Sequence, residues 1–520
     1  MAEWWVDPEN GLTTNAGTSS GVPWKLIPGQ TGATAQTGYT VTAGDTINVR
    51  NGTTTALRIV VPANNLTYRG YGLAENVLWL KLPSGLGTAL VRVVRERGVH
   101  EGMWIVDDGT AATYGMLATS TLSGTVVEDM HMIARLSTTP ISLGTSGSTA
   151  IGATVRRCRV SASEVTGIDG YTRQITIEDT MVEDCQDDGI TIGASAANGY
   201  RAGYTDRIER VSVINVGLNE TTATGDILQT FASSNRFESP LIVRDLYGYK
   251  PNKVKQAIVV TDMLGGFTLE RFFLEGPTDS HCQVLLNGLR GRCLIRQGVF
   301  KGGCASNPAI RIAQDNGVGM ATGSSLTIES VLLDAERHAG FFSWTSGVDA
   351  YTIDGAVNIR NCYAGGDNEN ELSYAGTITA HPSNVVTFGG NQSMTVQNTI
   401  IETTGQYAFR MPTGTAGSSL YTFEHNLVAP DLTFAIGSTE YADLAAFEAA
   451  HAAGDNLQED PLLDSSYRPR EGSPLIGAAT YIAGARHMNG KRMSVINPTI
   501  GAYNYEAPRS VALTRAIAGP

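Results

Sequence analysis

Short runs in which an apolar residue is followed by a polar or charged one and then by apolar alternation recur along most of this chain. They read VVEDMHM, TVRRCRV, TIEDTMV, RIERVSV, IVRDLYG, TLERFFL, LIRQGVF, TIESVLL, NIRNCYA, TVQNTII and TFEHNLV. Their anchors are Val127, Val155, Ile177, Ile208, Val243, Leu269, Ile295, Ile328, Ile359, Val396 and Phe423, spaced about 30 residues apart on average. A second apolar position follows nine of them, at Ile141, Ile168, Ile190, Ile227, Ile258, Val284, Ile310, Phe341 and Phe409, 13 to 15 residues on except for one interval of 19. Period-2 alternation over a few residues predicts a strand with one buried face. Such a strand cannot bury that face alone, and a fixed internal offset with variable spacing between repeats puts the insertions in loops. The pattern predicts an all-β chain, a right-handed parallel β-helix of about 10–13 coils.

The residue after each anchor reads Glu128, Arg156, Glu178, Glu209, Arg244, Glu270, Arg296, Glu329, Arg360, Gln397, Glu424, and from Arg244 to Arg360 the signs alternate strictly. Stacked about 4.8 Å apart on an outer face, these charges form a ladder that opposes slippage. Residues 1–60 are expected to form an N-terminal cap and first strands, 61–435 the β-helix, and 436–520 a C-terminal cap with one short helix and an irregular tail. The helix is expected within 438–454, with Ser438 or Thr439 as cap, Leu444 and Phe447 on one face and Gly454 at its end. It would cover strand edges at the open end of the stack.

Composition narrows the function classes. With 59 glycines in 520 residues, 17 % charged and 42 % hydrophobic residues but only 7 % aromatics, the chain is turn-rich and builds its core from Val, Ile and Leu. No run approaches the roughly 18 apolar residues of a membrane span, so membrane insertion is not expected. MAEWWVDPENG lacks a basic region followed by an apolar run, so no signal peptide is read there. A net charge of −13 argues against nucleic acid as a partner. The six cysteines, Cys158, Cys185, Cys282, Cys293, Cys304 and Cys362, show no metal-ligand spacing and are expected as buried thiols.

The ends of the chain carry a resemblance. WWVDPENG with GTSSGVPWKLI and AGDTINVRNG at one end, and LAAFEAA, EDPLLDSSYRPREGSPLIGAA, MNGKRM and TIGAYNYE at the other, resemble the opening and close of right-handed parallel β-helix repeat proteins of the pectate-lyase-like superfamily. That fold hosts lyases, hydrolases, epimerases and virion proteins. The chain resembles bacteriophage tailspike and depolymerase proteins among them. The resemblance implies a virion or extracellular location, a polysaccharide as partner, a homotrimer, and contacts with other virion proteins.

Candidate chemistry lies where the second-strand register departs from its rule. The two residues before the apolar position are small or neutral in Thr166-Gly167, Gln256-Ala257 and Pro308-Ala309, but two neighbouring coils carry Asp188-Gly189, preceded by Asp187, and Gly225-Asp226. Asp169 follows Ile168 one coil earlier. Glycoside hydrolysis uses two carboxyl groups roughly 5–5.5 or 6.5–9.5 Å apart, and one coil of rise, about 4.8 Å, suits such a pair. Crowding raises one pKa and leaves an acid beside a base. The phrase ITIEDTMVEDCQDDGITIG also resembles the paired-aspartate coil of polygalacturonase-type hydrolases, which maps acid and base onto Asp187 and Asp188; that family's Gly-His-Gly and Arg-Ile-Lys elements are missing.

The expected catalytic residues are therefore Asp187, Asp188 and Asp226, with Asp169, Tyr200, Arg201 and Tyr204 binding substrate through carboxylate, guanidinium and aromatic faces. Asp-Asp-Gly also suits a plain turn before a strand, and the tyrosines suit loop anchors. No cofactor is expected; calcium fits the acidic cluster, without EF-hand spacing. A lyase would instead need a base and a cation, for which Lys250, Lys253, Lys255 and Arg271 lie nearby unless they form a solvated basic loop. The expected function is bacterial surface polysaccharide recognition and depolymerisation by a glycoside hydrolase, with a uronide lyase or a non-catalytic virion fibre, decoration or adhesion protein as alternatives.

Overall fold

The computed structural model describes residues 1–50, the strands between 59 and 118, and most of 124–503. Residues 51–58, 196–200, 219–224, 251–255, 277–281, 303–308, 336–341, 374–385, 412–420 and 504–520 lie outside the description, as do other loop segments. Cys304, Tyr200, Lys253, Lys255 and Phe341 fall among them.

Burial alternates along Asp206–Ile214 and Leu241–Tyr249, then skips a beat. In Leu241–Tyr249, Leu241 and Val243 are buried, Arg244 and Asp245 both face outward, and Leu246 and Gly248 are buried again. The break is a corner. Arg157, Asp179, Arg210, Asp245, Arg271, Gln297, Ser330, Asn361, Asn398 and His425, each two residues after an anchor, hold φ between 49 and 57°. Left-handed backbone costs about 1–2 kcal/mol at a residue with a Cβ. Rung hydrogen bonds offset it: Arg157 N donates to Glu178 O (3.1 Å), Asp179 N to Glu209 O (3.1 Å) and Asn361 N to Gln397 O (3.1 Å).

Each coil thus presents two strands around the corner and a third on a separate sheet, and the chain is a parallel β-helix. Every anchor-to-anchor step from Val127 to Phe423 is an observed parallel pair. The third-strand column runs Ile141, Ile168, Ile190, Leu228, Ile258, Val284, Ile310, Phe342, Leu372, Phe409. Leu228 and Phe342 correct the expected Ile227 and Phe341 by one residue, and Leu372 adds a rung. Ile227 misleads because it too is fully buried, at the corner before the strand.

The charge ladder is built from these rungs. Glu270 accepts from Arg244 Nε (3.0 Å) and Arg296 Nη2 (2.8 Å), and Glu329 from Arg360 Nε (2.8 Å). The one like-charge step, Glu178 over Glu209, is bridged by Arg210, 3.3 Å from the first and 3.7 Å from the second. Inside, the five described cysteines are buried free thiols. Burial pushes the Cys293 and Cys362 thiols up to about 12.

At the N-terminus Trp4 and Trp24 stack at 4.7 Å, and Asp45 accepts from Ala2 N and Trp4 Nε1 (2.6 and 2.9 Å). At the other end the helix spans Leu444–His451, shorter than expected. Its cap is Asp443, which accepts from Ala446 N (2.8 Å), whereas Thr439 starts an antiparallel strand, Thr439–Tyr441. Leu444 and Phe447 are buried as expected.

Residues beyond the helix do more than close the end. Leu332, Tyr363, Ile400 and Leu427, outward residues of successive coils, pack under Leu475, Met493 and Ile500. Asn398 exchanges two hydrogen bonds with Thr480 (2.7 and 2.8 Å), and Gln297 donates to His487 O (3.1 Å). The tail is a strap along the side of the stack.

Glu270 sits at 3.1 Å or less from three guanidinium groups, those of Arg244, Arg271 and Arg296. Glu270→Gln is expected to lower stability by about 1–3 kcal/mol, read as an earlier denaturant midpoint; an unchanged midpoint would show the ladder to be decorative.

Candidate functional site

The acidic residues collect where the chain turns into the third strand of each coil. Extending the pairs Ile168–Ile190–Leu228–Ile258 two residues back stacks Thr166, Asp188, Asp226 and Gln256 in one column. Backbone bonds hold it: Gly167 N donates to Asp188 O (3.0 Å) and Gly189 N to Asp226 O (2.8 Å). The one-residue correction at Leu228 therefore puts Asp226 directly beside Asp188. Gly189 is required here by packing, since a Cβ would collide with Val213 Cγ1.

Asp188 is 6 % exposed, and both its oxygens are engaged. Oδ2 accepts from Thr191 Oγ1 (2.9 Å) and Oδ1 from Asp226 N (2.7 Å), tying one coil to the next. Asp226 is 1 % exposed. Asp187 is half-buried, and its Oδ1 is shielded with no hydrogen-bond partner among the described residues. Asp169 is half-buried on the strand Ile168–Gly170, between Ser142 and Thr191 of the adjoining coils.

Burial decides the electrostatics. It pushes the Asp169 carboxyl up to about 7, helped by the Asp188 charge and opposed by the Gly170 N–H. Burial likewise lifts Asp188 to about 6, with Asp187 adding repulsion, while the Asp226 N–H, the Thr191 hydroxyl and the Lys250 charge pull it down. Two carboxyl groups on adjacent coils thus titrate near neutrality, a setting suited to proton transfer.

Other expectations are corrected. Arg201 is not at a sugar-facing surface: it is 0 % exposed, held by both Asp206 oxygens and Gly193 O (3.3 Å), with its guanidinium 5.7 Å from the Phe237 ring centre. Ser239 Oγ and Ile175 N complete the Asp206 shell at 2.6 and 2.7 Å, so this pair is a core fastener. Tyr204 is half-buried, and Tyr200 lies outside the described residues. Lys250 is 1 % exposed and donates to Gln256 O (3.2 Å), so it is no solvated loop residue, nor does it face a substrate as a lyase base would. Arg271 is bound to both oxygens of Asp245 (2.7 and 2.8 Å).

The sequence reading gave no role to Thr191 or Tyr171. Tyr171 follows the Asp169 strand, and its ring covers the position where a Cβ of Gly193 would stand. Gly193 with an aromatic residue one coil earlier was the available signal.

A carboxyl whose folded pKa is raised binds more protons folded than unfolded, so stability falls as pH rises from about 4 to about 7. Asp169→Asn removes this loss. The variant is expected to gain on wild type by on the order of 2–4 kcal/mol between pH 4 and pH 8, read from paired unfolding curves; parallel curves would contradict the raised value.

No protein-family model matches this chain, and no curated protein matches it. Solved structures of similar shape include the GH136 lacto-N-biosidase from Eubacterium ramulus, at 11 % identity and TM-score 0.38, covering 69 % of this chain and 64 % of that one. The chain thus spans under two thirds of that enzyme's length. Others are pectate lyase Pel9A, at 14 % identity and TM-score 0.36 with 97 % of each chain covered, and a mannuronic acid specific polysaccharide family 6 lyase from human gut microbiota, at 12 % and 0.33 with 82 % and 83 % covered. The fold assignment rests on the strand pairings themselves.

Proposed function

We propose that this chain binds a polysaccharide across the edge carrying Asp169, Asp187 and Asp188 and cleaves it by acid–base glycoside hydrolysis. The observation that carries the reading is Asp169, half-buried, held up to about 7 and set one coil from a second raised carboxyl. In this scheme protonated Asp169 gives its proton to the leaving glycosidic oxygen, the step that needs a carboxylic acid at neutral pH. Asp187, half-buried beside it, acts on the anomeric side as base or nucleophile. Asp188 and Asp226 move from catalytic to supporting roles, because one is fully hydrogen-bonded and the other 1 % exposed.

A second reading, adhesion without cleavage, is favoured by that same burial of Asp188 and Asp226, which leaves Asp169 and Asp187 as the half-buried carboxyl groups of this edge. A place in a virion, as a fibre or depolymerase, suits either reading.

Cleavage separates them. Reducing-end release on bacterial capsular and exopolysaccharides is expected from wild type and is expected to fall about 10²–10⁴-fold in Asp169→Asn and Asp187→Asn, with both variants folded. The rate should decline as pH rises through about 7, where Asp169 loses its proton. Full activity in either variant would remove the assignment; binding without release would leave adhesion; absorbance near 235 nm would indicate a lyase.

A further inference from the structure

An acidic stack does not assemble in a low-dielectric edge without compensation. The structure assigns Lys250 as a positioning residue of this edge: its buried ammonium is the counter-charge that lets the aspartates of adjacent coils stack. The inference rests on the hydrolase reading only for its catalytic consequence.

Lys250 follows the strand Leu241–Tyr249, and its N–H donates to Glu275 O (2.8 Å). Its stem passes between glycines of neighbouring coils. A Cβ on Gly217 would stand 3.1 Å from Lys250 Cε, and one on Gly276 would stand 3.0 Å from Lys250 Cβ. Gly217 and Gly225, at φ 69 and 128°, cross in such close contact that a side chain on either would strike the other's backbone. Gly217 N donates to Asp187 O (3.1 Å), so the wall of the lysine channel is also the backbone that carries Asp187. The ammonium ends on Gln256 O, the position that follows Asp226 in the Thr166–Asp188–Asp226 column.

The titratable groups on the coils around this ammonium are Asp188 and Asp226 of that column, Asp187 before it and Asp169 one coil further, and of these Asp188 is pulled down by the Lys250 charge. Arg201, the other buried cation among the described residues of these coils, is committed to Asp206. Lys253, Lys255 and His281 lie outside the described residues. A buried ammonium is tolerated only when paired, and here the pairing serves both signs. Lys250 favours ionised Asp188, whose charge in turn favours a protonated Asp169. The lysine thereby adds to the bias, set first by burial, that leaves the proton on Asp169.

Melting of Lys250→Met, Asp188→Asn and the double variant at pH 5 and pH 8 tests this without any glycan. The expected result is a melting-temperature loss for Lys250→Met that is larger at pH 8, where the aspartates must ionise without their counter-charge, and is recovered by adding Asp188→Asn. Equal losses at both pH values with no recovery would make Lys250 a packing residue and overturn the inference. If Lys250→Met does not fold, the double variant decides: a folded double supports the counter-charge and an unfolded one overturns it. A pH-dependent rescue in a protein that cleaves no glycan would retain Lys250's role while removing the hydrolase reading.

Discussion

Parallel stacking at one strand spacing is the constraint on which everything else in this molecule depends. A coil of this chain cannot bury its Val, Ile and Leu positions alone, so each residue is fixed by the residue at the same position one coil before and after. The register from Val127 to Phe423 is unbroken in the first strand. Any property of one column is therefore repeated, or compensated, about every 4.8 Å.

Charge shows both responses. On the outer face the column from Arg244 to Arg360 alternates sign; Glu270 meets guanidinium groups above and below, and Glu329 meets that of Arg360. At the turn into the third strand, Asp188 sits over Asp226 with no alternation. That stack is held by Thr191, by a backbone N–H and by a lysine threaded between glycines, and its burial, with repulsion from Asp187 second, appears as a raised Asp188 carboxyl. A solenoid spends sign alternation where it needs only register; leaving it out concentrates proton-exchanging groups at one edge.

The periodic part of this was legible in the sequence. Anchors, ladder and buried Leu444 and Phe447 follow from alternation, which reports burial directly. What alternation does not report was missed. Half of the corners carry Asp, Asn or His, which tolerate positive φ, but the others carry Arg, Gln or Ser, whose local preference gives no sign of it, because rung hydrogen bonds impose the conformation. Ile227 and Leu228 are both buried, so hydrophobicity could not choose between them, and the choice decides whether Asp226 meets Asp188. Arg201 and Lys250 look like surface cations in sequence; only their partners, Asp206 and the Gln256 carbonyl, show them to be interior.

The most direct measurement is the titration of the Asp169 carboxyl, followed by carbon NMR on aspartate-labelled protein with Asp169→Asn supplying the assignment. Burial beside Asp188 requires an apparent value near 7, falling when Asp188 is replaced by Asn. A value near the ordinary 3.8 of an aspartate would mean that the edge is solvated and has no proton to give, and the catalytic account would fail with it.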